Sequence, residues 1–139
     1  MSNKDIARRT IEEVWNKGNF VVLNESYARE YVHHDPNAPE VRDLAGFKKW
    51  AAAVRLAFPD FHVKAEEMLE EGGTVVTRWT ATGTHKGAFL EVPATGKKLT
   101  NTGVSIHHVR NGKIVEGWWA YDAVGMMRQL GVIPPAVAA

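Results

Sequence analysis

Asp122 is the residue of this chain whose type and position best suit acid–base chemistry. It closes the run Glu116-Gly117-Trp118-Trp119-Ala120-Tyr121-Asp122, and in a strand, alternation puts it on the face of Trp118 and Ala120. If that face is the inner one, the carboxyl lies among aromatic rings, a setting in which burial makes a carboxyl a usable general acid or base. If it is the outer one, Asp122 caps the helix that follows, a position aspartate favours. His107 and His108 are adjacent on a neighbouring β-rich run, so only one of them can face a pocket, and alternation admits either. Thr102, Val104, Ile106 and His108 share one face; Gly103, Ser105, His107 and Val109 share the other.

His33, His34 and Asp35 precede Pro36. Adjacent side chains diverge, and no second cluster with ligand spacing accompanies them, so no metal site is expected. His34 at the mouth of a pocket would hydrogen-bond a substrate oxygen, whereas Asp35 would shape the turn before the proline. Arg78 lies mid-strand beside Val76 and Thr80. Inside a pocket it would pair with a carboxylate; outside it is a solvated charge. Five tryptophans supply core and allow some rings to line a cavity. Trp15, Trp118 and Tyr121 are the candidate wall residues.

The elements that must position these groups can be read from periodicity. Ser2 and Asp5 form a capping box, and Ala7, Ile11, Val14 and Trp15 recur at helical spacing until Gly18. Asn19 is expected to cap a second short helix through Leu23 and Tyr27, and Pro36 and Pro39 make residues 31–36 a loop. Asp43 caps a third helix with the stripe Leu44, Phe47, Ala51, Val54 and Phe58, ended by Pro59. From there the period is two, which predicts strands over 61–69, 74–85, 97–109 and 113–122. Asn111-Gly112 is the signature of a type I′ hairpin turn, setting residue 110 opposite 113 and 108 opposite 115. A last helix covers 123–130, with Gly131 at its end and Pro134-Pro135 beyond. Helices first and long antiparallel strands after them predict an α+β fold in one domain over 1–139, helices covering one face of a sheet. Long strands twist and curl, so a pocket is expected beneath the helices.

Composition narrows the classes of function. With 17 basic and 16 acidic residues the net charge is +1, and no cluster of Lys or Arg is available to neutralise a phosphate backbone, so nucleic acid is not an expected partner. The apolar runs are too short to cross a bilayer. There is no cysteine, hence no disulfide framework or thiolate nucleophile, and no signal-peptide pattern opens the chain. A cytoplasmic protein is the expectation. A sheet face carrying Trp, Val and Thr would be an aggregation liability if bare, so a homodimer through that face is expected.

Four segments give the chain a family likeness: YVHHDP at 31–36, GFKKWAAAVRLAFPDFHV at 46–63, VVTRWTATGTHKGAFLEVPATGKKL at 75–99 and GVSIHHVRNGKIVEGWWAYDAVGMMRQLG at 103–131. In this order they resemble the SnoaL-like polyketide cyclase or ester cyclase family, which shares the cone-shaped fold of nuclear transport factor 2 and scytalone dehydratase. The resemblance implies a curved antiparallel sheet covered by N-terminal helices. It also implies cofactor-independent chemistry on a small, largely apolar or polyketide-like carbonyl ligand. It carries the acid–base role to Asp122 and the accompanying histidine to His108, with His34 matching a polar loop position of the pocket. Many relatives place a further acid directly after the tryptophan of the last strand, where this chain has Trp119. Two rival readings stand beside it: a non-enzymatic small-molecule-binding or dimerisation domain, and an epoxide or ester hydrolase on the same fold.

Overall fold

The computed structural model describes residues 1–134; Pro135, expected beyond the last helix, lies outside the described residues. The chain opens with α1 (Asn3–Arg9), whose first turn carries the expected capping box: the Ser2 hydroxyl accepts from the Asp5 N–H, and the Asp5 carboxylate accepts from the Ser2 N–H. Its axis continues as a π-helix over Thr10–Trp15, where the Asn16 N–H reaches back five residues to the Ile11 carbonyl at 3.1 Å. A short α2 (Val21–Ser26) follows. Phe20, not Asn19, is its N-cap, and no side chain caps it.

Residues expected to finish a helix and form a loop make a strand, β1 (Tyr27–His34), parallel to the last strand, with His33 opposite Gly117 and His34 opposite Trp118. Tyr31 and His33 are buried and Val32 is exposed, a period-two pattern that two consecutive histidines obscure. A parallel partner lies far away in sequence, so no local turn signal announces it.

Helix α3 (Leu44–Ala57) starts at Asp43, whose carboxylate accepts from the Gly46 N–H at 2.8 Å, and buries Phe47, Ala51, Val54 and Ala57. Strands β2 (His62–Glu71), β3 (Thr74–Thr84), β4 (Lys98–Arg110) and β5 (Lys113–Tyr121) then form an antiparallel run in a sheet of order β1-β5-β4-β3-β2. The type I′ turn is present, with Asn111 at φ 51° and Gly112 at φ 75°, and Arg110 faces Lys113 as expected. The register then shifts, so His108 faces Glu116 instead of residue 115. The bulge is the reason, since one extra residue on β5 displaces every later pair. Helix α4 (Ala123–Leu130) ends at Gly131, φ 78°.

The helices are tied to the sheet by polar clips as well as by apolar packing. The Asn16 side chain donates to the Val63 carbonyl at 2.9 Å and accepts from the Val63 N–H at 2.7 Å, closing part of the open β2 edge. Arg55 of α3 donates to the Trp15 carbonyl. On the inner face of the sheet Gly103 is required by close approach: a Cβ there would stand 2.4 Å from the Trp79 ring and 2.7 Å from the Ala120 carbonyl. The indole of Trp79 lies directly over β4 in that space, and its N–H donates to the buried Ser105 hydroxyl at 2.9 Å.

Candidate active site

Parity decides which groups reach the interior. On β4 the buried set is Leu99, Asn101, Ser105, His107 and Val109, so His107 faces in and His108 faces out. On β5 Trp119 and Tyr121 point toward the helices, which puts Trp118, Ala120 and Asp122 on the other side. On β1 and its continuation Tyr31, His33 and Asp35 are all buried.

Between this face and the helices lies an apolar cavity with about 730 Å³ of empty space, counting its open mouth. Trp15, Phe58, Trp79, Phe89, Trp119 and Met126 make its walls, and the polar groups that reach it include His33, Asp35, Asn101 and Tyr121. Such a ratio of apolar wall to few polar groups is usual for small-molecule sites.

Asp35 is the ionisable carboxyl of this cavity and is only 5% exposed. Its Oδ2 accepts from the Tyr121 hydroxyl at 2.9 Å and its Oδ1 from the Asn37 N–H at 2.9 Å. Burial pushes the carboxyl above its ordinary value, with the hydrogen bonds from Asn37, Tyr121 and the Ala38 N–H pulling the other way. Burial and the facing carboxylate raise the Tyr121 phenol in turn, so it remains a neutral donor. His33 stands two residues before Asp35 on the same face. Its Nδ1 is 2.7 Å from the Tyr31 hydroxyl and its Nε2 has no partner. Burial lowers its pKa to about 4, with the neighbouring His34 adding to the effect. His107, beneath the Trp119 ring at a centroid distance of 5.6 Å, is likewise pushed down to about 4 by burial, then by His33 and His108.

The other expected residues sit elsewhere. Asp122 is exposed, and its carboxylate accepts from the Gly125 N–H at 2.8 Å as the N-cap of α4; it does not line the cavity, because it follows Tyr121 by one position. Arg78 is on the outer face, 3.5 Å from Glu67. His34, His108 and Trp118 do come together, but on that outer face. His34 stacks on Trp118 at 4.9 Å and its Nε2 lies 2.7 Å from Glu116, while His108 meets the same indole at 4.7 Å. Of the residues named from sequence, Trp15 and Tyr121 line the cavity. Asn101, for which the sequence offered no signal, also lines it, as do Asp35, expected only to shape the turn, and His33, given no pocket role. The signal for these last two was the alternation Tyr31, His33, Asp35 in a segment whose prolines suggested a loop. Among the described residues, no group of three or more His, Cys, Asp or Glu is placed to hold a metal ion.

A model of the SnoaL-like polyketide cyclase family matches residues 5–130. The chain belongs to that family. This SnoaL-like chain is 31% identical to the aklanonic acid methyl ester cyclase DnrD of Streptomyces peucetius, over 91% of its own length and 89% of that protein's. Among solved structures, wild-type IdmH from Streptomyces antibioticus superposes with a TM-score of 0.84 at 31% identity, covering 94% of this chain and 99% of IdmH. A SnoaL-like protein of Jannaschia sp. CCS1 reaches a TM-score of 0.86 at 23% identity, over 95% of this chain and 93% of that one, a likeness of fold. The family's cone-shaped α+β architecture is thus the one observed, a curved sheet with helices over one face. Within it, the position after the strand tryptophan is an indole, Trp119, which lines the cavity.

Proposed function

We propose that this chain is a cofactor-independent cyclase-type enzyme that moves protons on a small, largely apolar, polyketide-like carbonyl compound, with Asp35 as its acid–base group. The observation that carries the reading is the buried Asp35 carboxyl, hydrogen-bonded by Tyr121 at the wall of an apolar cavity. A carboxyl whose pKa is raised by desolvation is a stronger base when ionised, and it is protonated more often near neutral pH, so it can also serve as the acid. In an aldol ring closure Asp35 removes a proton α to one carbonyl. The enolate carbon bonds to a second carbonyl of the same molecule, and the protonated Asp35 returns its proton to the alkoxide formed there. Tyr121 keeps the carboxylate oriented through both transfers. The names of the relatives point to ring closure of polyketide esters, and the cavity's scarcity of polar groups suits such a ligand. A homodimer through the outer sheet face and a location in the cytoplasm belong to the same proposal; no described helix is long and apolar enough to cross a membrane.

The test needs no knowledge of the natural substrate. Bicyclic and tricyclic ketones, 1-tetralone among them, are incubated with the protein in deuterated water and exchange at the α-carbon is followed by mass spectrometry. Wild type should accelerate exchange, and Asp35→Asn should lose at least tenfold of that rate while still binding the ketone. Exchange that survives Asp35→Asn would refute the assignment. Binding with no acceleration by wild type would favour the rival reading, a ligand-binding module.

A further inference from the structure

His33 is the one buried histidine that both lines the cavity and has a defined partner on one ring nitrogen only. Its backbone is pinned, since its N–H donates to the Arg42 carbonyl at 2.9 Å. Its ring is packed against Phe47 at 4.9 Å and Trp119 at 6.0 Å. The Tyr31 hydroxyl reaches Nδ1 because residue 117 is glycine; a Cβ there would be 2.6 Å from the phenol oxygen. That hydroxyl is deeply buried, and burial raises the phenol, so it holds its proton. Among the described residues His33 Nδ1 is the hydrogen-bond partner of this hydroxyl, and the Trp119 indole N–H, itself unpaired, offers no acceptor. The hydroxyl proton is then directed at His33 Nδ1. An imidazole that accepts at Nδ1 while uncharged carries its own proton on Nε2.

Resting on the proposed reaction, we infer that His33, held by Tyr31 as the neutral Nε2–H tautomer, donates to the carbonyl oxygen of the substrate while Asp35 exchanges the proton on the adjacent carbon. The spacing supports it. Same-face positions two residues apart on an extended chain stand about 7 Å apart, enough for an enolisable H–C–C=O unit with a hydrogen bond of about 3 Å at either end. As the enolate forms, its oxygen gains charge. A fixed N–H in a water-poor wall stabilises that charge without reorganising. The groups facing the ring are Tyr31, Trp119 and Phe47, with the Asp35 carboxyl and the buried His107 on the same face, while His34 and its partner Glu116 lie on the opposite face of the sheet. A neutral donor suits this role better than an imidazolium, which would pair with Asp35 and quench the base.

Three readouts test the inference apart from the base assignment. In protein with 15N-labelled histidine, His33 should show a bare Nδ1 and a protonated Nε2 from pH 5.5 to 8, and Tyr31→Phe should give a mixture of tautomers. With carbonyl-labelled 1-tetralone, the bound C=O stretch should fall to lower wavenumber in wild type and in Asp35→Asn, but not in His33→Phe. Tryptophan quenching should show the preference for 1-tetralone over tetralin falling about tenfold in His33→Phe, the worth of one well-made hydrogen bond. An unshifted stretch in wild type, a shift that survives His33→Phe, or a proton resident on Nδ1 would overturn the role of His33. Exchange persisting in Asp35→Asn with the carbonyl shift intact would instead overturn the base and leave His33 as donor.

Discussion

Acidification should unfold this protein earlier than its net charge suggests, because two imidazoles are buried uncharged. His33 and His107 are 4% and 3% exposed, and burial pushes each from the ordinary 6.5 to about 4. In the unfolded chain both titrate near 6.5, so between the two values the unfolded state holds more protons than the folded one. Stability is then complete above the unfolded value and is lost as the pH falls toward 4. At about 1.4 kcal/mol per pH unit, going from pH 7.5 to 5 should cost about 2 kcal/mol per ring, or roughly 4 kcal/mol for both. This is an upper bound, since admitting water to the interior charges the rings more cheaply. Asp35 opposes the trend: its raised carboxyl takes up a proton earlier when folded, which favours the folded state as the pH falls through that raised value. The assay is urea unfolding followed by tryptophan fluorescence at several pH values, on wild type and His107→Leu. Each protein is referred to its own value at pH 7.5, so that the packing change cancels. His107→Leu should lose about half of the pH dependence. A flat profile for wild type from pH 7.5 to 5, or an undiminished slope in the variant, would refute the claim that these rings are buried neutral.

Asp122→Ala should lower stability by about 0.5–2 kcal/mol through loss of the α4 cap, read by urea unfolding, and leave ketone exchange unchanged; exchange lost in a folded variant would return the acid–base role to Asp122. Trp118→Glu places a charge in the centre of the outer face, between His34 and His108. If a second copy packs there, light scattering should show a dimer in wild type and a monomer in the variant, with the cavity still binding ligand. A monomeric wild type would remove the dimer.

The amino-acid pattern alone determined the α+β class, the capping box of Ser2, the cap of Asp43, the four antiparallel strands and the Asn111-Gly112 turn, and left Asp122 open between a cap and a pocket acid. Each of these is encoded within a few residues, where propensity, capping and turn chemistry act. The family likeness could likewise be read from contiguous segments. What sequence could not decide was which side of the sheet faces the helices. Alternation fixes that His107 and His108 oppose each other and that Tyr121 and Asp122 do, but the sign of the pattern is set by contacts with α1, α3 and the cavity. The same limit hid β1. Its parallel partner β5 lies some eighty residues on, as the pairing of His33 with Gly117 shows, so its histidines read as loop polar groups. The tertiary fold placed Asp35 and His33 beside Trp119 and Tyr121, and left His34, His108 and Trp118 outside, because burial is a property of the assembled face and not of the residue.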